Sequence, residues 1–283
     1  MNSKSKIKRY AAYIAALALV LSPACDTFAQ SDDFGVWSSL TAKKKLTDKL
    51  SLSIEGELRT IDGVSEMDRR SLGTTISYKF AKWIKADIGY VYIQSHNAQE
   101  KKIKEYKGED IDGNAVYNYN IDHSYWEERD RFYAGITVDW KIGRVKFSLR
   151  ERLQYQYTHS ALVYEDKYRY IMDDEDPSLP PVPDSKFPDG NVEKKDSKHN
   201  TTLRSRLTAK WDIKNCKIEP FASVELFSRT DEWRGHDKIR YRIGAEYKID
   251  KDNDISIYYM FQDNHSSSKP AGHAIGIGYT FEL

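Results

Sequence analysis

What most limits the folds open to this chain is a long alternation. In "IRYRIGAEYKI", residues 239–249, Ile239, Tyr241, Ile243, Ala245 and Tyr247 take every second position, with Arg240, Arg242, Glu246 and Lys248 among those between. A period of two belongs to a strand, whose successive side chains point to opposite faces. Soluble strands cluster near about five or six residues. This one alternates for about nine or more, the length a tilted strand needs to cross a bilayer. The pattern returns at Leu50–Leu58, Leu72–Phe80, Ile84–Tyr92, Phe132–Trp140, Val145–Tyr155, Leu203–Trp211, Ile218–Leu226, Ile255–Phe261 and Ile275–Phe281. With "FGVWSSLTAK" at 34–43 there are eleven segments.

The connections alternate too. Short links at "AKKKLTDK", "AKW", "KIGR", "IKN" and "DKDN" take turns with long polar ones at 60–69, 95–127, 158–199, 228–237 and 263–271. Short turns on one side and long loops on the other are the pattern of an outer-membrane barrel. The expected fold is therefore all-β: an antiparallel transmembrane β-barrel of about 10–12 strands, with short periplasmic turns and long extracellular loops. Single-chain bacterial barrels carry even strand numbers, so the parity argument expects ten, with 34–43 not spanning, or twelve, with one span unread. Tyr164 to Ile171 suggests a strand extension above the membrane. Aromatics at strand ends (Phe80, Trp83, Trp140, Trp211, Tyr247 and Tyr279) suit the girdles at the two interfaces.

Mean hydropathy is −0.71, and the one long apolar run lies at the start, which excludes a helical membrane protein. That run reads as a secretory signal over residues 1–29: Lys4, Lys6, Lys8 and Arg9 precede "YAAYIAALALVL", and Thr27-Phe28-Ala29 offers a small-residue cleavage site. Lipidation at Cys25 is the rival, with Ser22 a poor residue at its site. The barrel then occupies 30–283. Cleavage takes the 44 Lys+Arg and 43 Asp+Glu of the whole chain to 40 and 42, so nucleic acid is not an expected partner. Cys216 alone would remain, which excludes an internal disulfide and paired-cysteine metal sites.

"HAIGIGYTFEL" resembles the C-terminal assembly signal of bacterial outer-membrane barrels, with Leu283 where an aromatic usually stands and Phe281 two residues earlier. "DFGVW", "LSLSIEGELR" and "LRERLQYQY" resemble a family of bacterial outer-membrane barrel proteins catalogued only as a domain of unknown function. That resemblance implies fold and an outer-membrane location and carries no activity.

If the apolar set meets lipid, the charged set lines the lumen. The candidates are Glu55, Glu57, Arg59, Arg129, Arg131, Arg150, Arg152, Arg204, Arg206, Arg240, Arg242 and Glu246, with Asp87, Asp139, Glu219 and Glu225 as possible partners. Two readings stay open. In a filled lumen, Arg and Glu form an ionic network that conducts little. In a narrow open one, the arginine excess favours anions. The leading expectation is a narrow passive channel or plugged structural barrel.

Glu151 breaks the pattern by falling on the lipid face, where a charge is costly; a bulge turning it inward is the simplest reading, a carboxylate at a lateral opening the rarer one. The rival function is a membrane-embedded hydrolase of lipid or lipopolysaccharide at the outer rim, for which "NHSSSKPAGH" supplies His265, Ser267 and His273 without an evident orienting third group. Asp173, Asp174 and Asp176 could hold calcium, but the stretch lacks an EF-hand's glycine and terminal glutamate and reads better as a proline-stiffened external loop. No cofactor or metal is expected. Beyond membrane lipid, the partners in view are small anions, or glycans at Tyr106, Tyr117, Tyr119, Tyr125 and Trp126 in the 95–127 insert, a segment that could equally fold down as a plug.

Overall fold

The computed structural model describes residues 33–172, 179–230, 237–264 and 272–283. The strands are β1 (Asp33–Lys45), β2 (Leu50–Ile61), β3 (Glu66–Ala81), β4 (Ile84–Asn97), β5 (Glu100–Glu109), β6 (Ala115–Asp122), β7 (Tyr125–Ile142), β8 (Val145–Thr158) and β9 (Ala161–Tyr168). Then come β10 (Tyr170–Ile171), β11 (Val182–Pro183), β12 (Asp189–Lys195), β13 (Lys198–Trp211), β14 (Ile218–Arg229), β15 (Lys238–Lys248), β16 (Asn253–Asn264) and β17 (Gly272–Glu282). Eleven of them close a barrel in the order β1-β17-β16-β15-β14-β13-β8-β7-β4-β3-β2.

The parity expectation of ten or twelve is corrected. β1 is a full strand of 13 residues, and it pairs parallel to β17, from Asp33 beside Gly272 to Lys43 beside Glu282. An odd number of strands closes without an edge only when the first and last run the same way. All the other barrel pairs are antiparallel, and the Leu283 N–H donates to the Lys43 carbonyl at 2.7 Å to finish the seam.

The short turns are closed by local chemistry. Gly143 takes φ 58° between β7 and β8, and Asn215 takes φ 59° between β13 and β14; both occupy the left-handed region that Gly and Asn tolerate best. Asp250 Oδ1 accepts from the Asp252 N–H at 2.9 Å and from Asn253 Nδ2 at 2.7 Å before β16.

The burial is inverted relative to a soluble protein. Leu72, Ile88 and Ile243 are 58%, 58% and 64% exposed at mid-barrel, whereas Glu225 on the opposite face is 1% exposed. Outward aromatics gather at two levels: Phe80, Trp83, Trp140, Trp211 and Tyr247 near the short turns, Phe132, Tyr155 and Tyr241 near the long connections. Tyr279, expected with the former, is buried, and its hydroxyl donates to Asn253 Oδ1 at 2.7 Å. From Phe132 to Trp140, eight steps at about 3.4 Å and a tilt of about 40° rise about 21 Å, close to the apolar band of a transmembrane barrel.

The longest strand, β7, has 18 residues and continues well past that band. Above it, β12, β9, β6 and β5 pair as a separate four-stranded sheet, and β10 pairs with β11. The connections 95–127 and 158–199 therefore carry pleated structure where the sequence reads as polar loop. β9 covers most of the extension expected at Tyr164 to Ile171.

Candidate functional site

The twelve candidate side chains lie on β2, β7, β8, β13 and β15, at positions alternating with the exposed apolar ones. Four arginines from three strands converge on Glu225 of β14. Glu225 Oε1 accepts from Arg150 Nη2 at 2.6 Å, from Arg204 Nη2 at 2.9 Å and from Arg204 Nε at 3.2 Å. Its Oε2 faces Arg240 Nη1 at 3.6 Å and Arg242 Nη2 at 3.9 Å. Arg206 stands opposite Glu225 in the β13–β14 register and opposite Arg150 in β8–β13. One carboxylate thus anchors a layer of cations, the arrangement that guanidinium forks favour where water is scarce.

Beside this layer, Arg152 Nη2 donates to Asp87 at 2.9 Å, and its guanidinium lies 3.9 Å over the Tyr133 ring. That ring is accommodated by Gly89, where a Cβ would come within 2.4 Å of it. Across the barrel, a Cβ on Gly276 would fall 1.9 Å from the Tyr258 ring, so this glycine lets the tyrosine lie flat against the wall.

Toward the long connections the lumen opens into a cavity of about 450 Å³. Of the candidates, Arg59, Arg129, Arg131, Arg204 and Arg240 line it. Arg59 pairs with Glu57 at 2.7 Å and stacks 3.6 Å over Trp37, Arg129 pairs with Glu127, and Arg131 Nη2 donates to Gln156 Oε1 at 2.8 Å. With Arg69, Arg229 and Lys238, the described residues of the lining include eight Lys and Arg against two acids, Asp68 and Asp237. Arg69 falls in 60–69, which reads as a loop, and Lys238 just before the alternation that starts at Ile239; carrying the period back two steps from Leu72 and one from Ile239 reaches both.

The remaining candidates stand elsewhere. Glu55 accepts from Thr41 Oγ1 at 3.2 Å. Glu246 is joined not to arginine but to Lys210, at 2.5 Å, near the short turns, where Lys146 also meets Asp139 at 3.0 Å and Lys248 meets Glu219.

With this geometry in place, comparison with known proteins gives a family. A family model described as a protein of unknown function (DUF2490) matches residues 34–272. The chain belongs to that family. This DUF2490 chain is a closed β-barrel with an apolar outer face. It is similar over 99% of both chains to the translocator domain of autotransporter NalP from Neisseria meningitidis, at 10% identity and a TM-score of 0.48. It is similar to the beta domain of the Bordetella autotransporter BrkA over 84% of this chain and 83% of that one, at 10% identity and a TM-score of 0.41. No curated protein matches it.

The bulge expected to turn Glu151 inward is absent from this DUF2490 barrel: β8 pairs with β7 and β13 without a register shift, and Glu151 stays outward, accepting from Ser205 Oγ at 2.6 Å. His265, Ser267, Asp173, Asp174, Asp176, Cys25 and the 1–29 segment lie outside the described residues. His273 Nδ1 contacts the Tyr259 hydroxyl at 2.5 Å.

In the external sheet, burial pushes the Asp122 carboxyl up, but hydrogen bonds from Lys102 at 2.6 Å and Lys195 at 3.0 Å outweigh it and hold the group below its ordinary value. Glu165 and Glu193 bring carboxylate oxygens within 4.8 Å of Asp122, a cluster already matched by three lysines, since Lys195 also meets Glu193 and Lys167 meets Glu165 at 3.7 Å. The 95–127 insert sends Tyr106, Tyr117 and Tyr119 into this sheet, with Tyr119 stacked on Tyr168 at 4.5 Å, while Tyr125 and Trp126 begin barrel strand β7; none of β5, β6, β9 or β12 lines the cavity.

Proposed function

We propose that this chain is an outer-membrane barrel, exported by cleavage after Ala29, whose lumen is closed at rest by the Glu225 layer. Its short turns face the periplasm and its cationic mouth faces outward. The membrane assignment is supported by the continuous belt of exposed Leu, Ile, Val and aromatic side chains, an outer surface stable only in hydrocarbon. The closure rests on one observation: a carboxylate 1% exposed on the inward face of β14, with four arginines within 3.9 Å. Eleven strands about 4.8 Å apart and tilted about 40° give a backbone radius of about 11 Å. That lies between the eight-stranded barrel that side chains fill and the sixteen-stranded one that holds a water channel. Long arginines reaching in from several strands fill such a width.

The test is conductance of the refolded protein in a planar bilayer under a salt gradient, with insertion shown by heat-modifiable migration. The expected result is little or no current, with any residual leak anion-directed. Large, stable steps from the unmodified protein would overturn the closed-lumen reading.

A further inference from the structure

The cavity above the Glu225 layer has a charge that the closed lumen does not require. Three of its cations, Arg69 on β3, Arg131 on β7 and Lys238 on β15, have no carboxylate within 4.0 Å among the described residues. Their contacts are to neutral groups: Arg69 Nε to Ser95 Oγ at 3.4 Å, Arg131 to Gln156, and Lys238 4.6 Å over the Phe227 ring. They come from separate strands and line one space of about 450 Å³ where, among the described residues, Lys and Arg exceed Asp by six. Like charges held together in a concave, partly dehydrated wall are costly unless a counter-charge joins them. Folding alone gives no reason to gather them.

We infer that this vestibule is a binding site for a small soluble polyanion carrying two or more phosphoryl or carboxyl groups. Two or more oxyanions are inferred because the three unpaired cations come from three separate strands, β3, β7 and β15. The volume suits a compact ligand. Guanidinium forks match the oxygens of either oxyanion, and Gln154, Gln156 and Asn200 in the same lining can receive hydroxyls. A ligand here enters from the long-connection end and stops on the Glu225 layer. The site depends on the proposed orientation for access from outside the cell, but not on the closure.

The experiment is isothermal titration of the refolded barrel in neutral detergent with inorganic tripolyphosphate, citrate and acetate, repeated at two salt concentrations. Saturable one-to-one binding of tripolyphosphate or citrate, with acetate far weaker, is expected. The stronger of the two names the oxyanion. Arg131→Ala and Lys238→Ala should each weaken it about tenfold or more, as loss of a charged hydrogen bond implies. Lys43→Ala, at the opposite end of the lumen, should leave it unchanged. The inference is overturned if neither polyanion binds to protein shown to be folded, if acetate binds equally well, or if Arg131→Ala and Lys238→Ala bind like the unmodified barrel. Conductance reads the closure independently, so an open barrel that binds polyanion would refute the closure alone, and a silent barrel that binds none would refute this site alone.

Discussion

Glu225→Ala is the perturbation that most directly probes the lumen. The substitution removes one buried carboxylate and leaves Arg150, Arg204, Arg240 and Arg242, which approach it at 2.6, 2.9, 3.6 and 3.9 Å, facing one another with no counter-charge among them. At an effective dielectric constant of about 20, a pair about 4 Å apart interacts by about 4 kcal/mol, but desolvation already offsets much of that in the intact barrel. The measured quantity is therefore closer to the cost of breaking a buried pair by deleting one partner, roughly 3–5 kcal/mol. Urea unfolding of the refolded barrel, followed by tryptophan fluorescence and by heat-modifiable migration, should show this as a lower midpoint at an unchanged slope. The same variant should conduct where the unmodified protein does not, because mutually repelling guanidiniums turn toward the walls, and the current should be anion-selective. Glu225→Ala combined with Arg204→Ala should recover part of the stability, giving a coupling of roughly 0.5–3 kcal/mol. A Glu225→Ala barrel within about 1 kcal/mol of the parent and still silent would refute the reasoning, since the layer would then neither hold the barrel together nor close it.

Three further outcomes follow from the geometry. Cys216 is exposed in the β13–β14 turn, so a membrane-impermeant maleimide should label it only after the outer membrane is permeabilised, and labelling on intact cells would invert the proposed orientation. Ser38→Cys with Ile277→Cys places thiols on paired positions of the parallel seam, which should oxidise to a disulfide in the folded barrel; an even-stranded closure that leaves β1 out would not cross-link. In the external sheet, Asp122 is held below its ordinary value, so the stability it contributes is complete above about pH 4 and is lost as pH falls through the lower folded value. Proteolysis of the 158–199 connection should accordingly be flat from pH 8 to pH 5 and rise only in stronger acid; a rise near pH 6 would assign the sheet's cohesion to other groups.

What the sequence discloses of this molecule divides along the range of its rules. Alternation is a local rule with a period of two, and it marks each wall strand and the two classes of residue on it. Ile243 beside Arg242 is legible without any structure. Closure is a global property, and parity is only a habit of known barrels, so the argument from even numbers admits ten strands, with 34–43 not spanning, or twelve, with one span unread, and has no place for the eleven that a parallel seam allows. The mouth was missed for a third reason: Arg69 and Lys238 lie where the apolar half of the pattern fades, and strand boundaries drawn from apolar residues stop where the membrane does, short of the place where the hydrogen-bonded ladder stops. Nor can a pattern say which charges meet. Arg150, Arg204 and the Arg240/Arg242 pair are separated by tens of residues and converge on Glu225 because β8, β13, β14 and β15 are neighbours in register, whereas Glu246, two steps along the same face from Arg242, belongs to the lysines of the other end. The lumen's chemistry therefore follows from depth along the strand as well as from face. A single reading of alternation supplies the face; the depth comes only from the register of neighbouring strands, so a substitution at Glu225 and one at Glu246 should behave as independent perturbations despite their shared face.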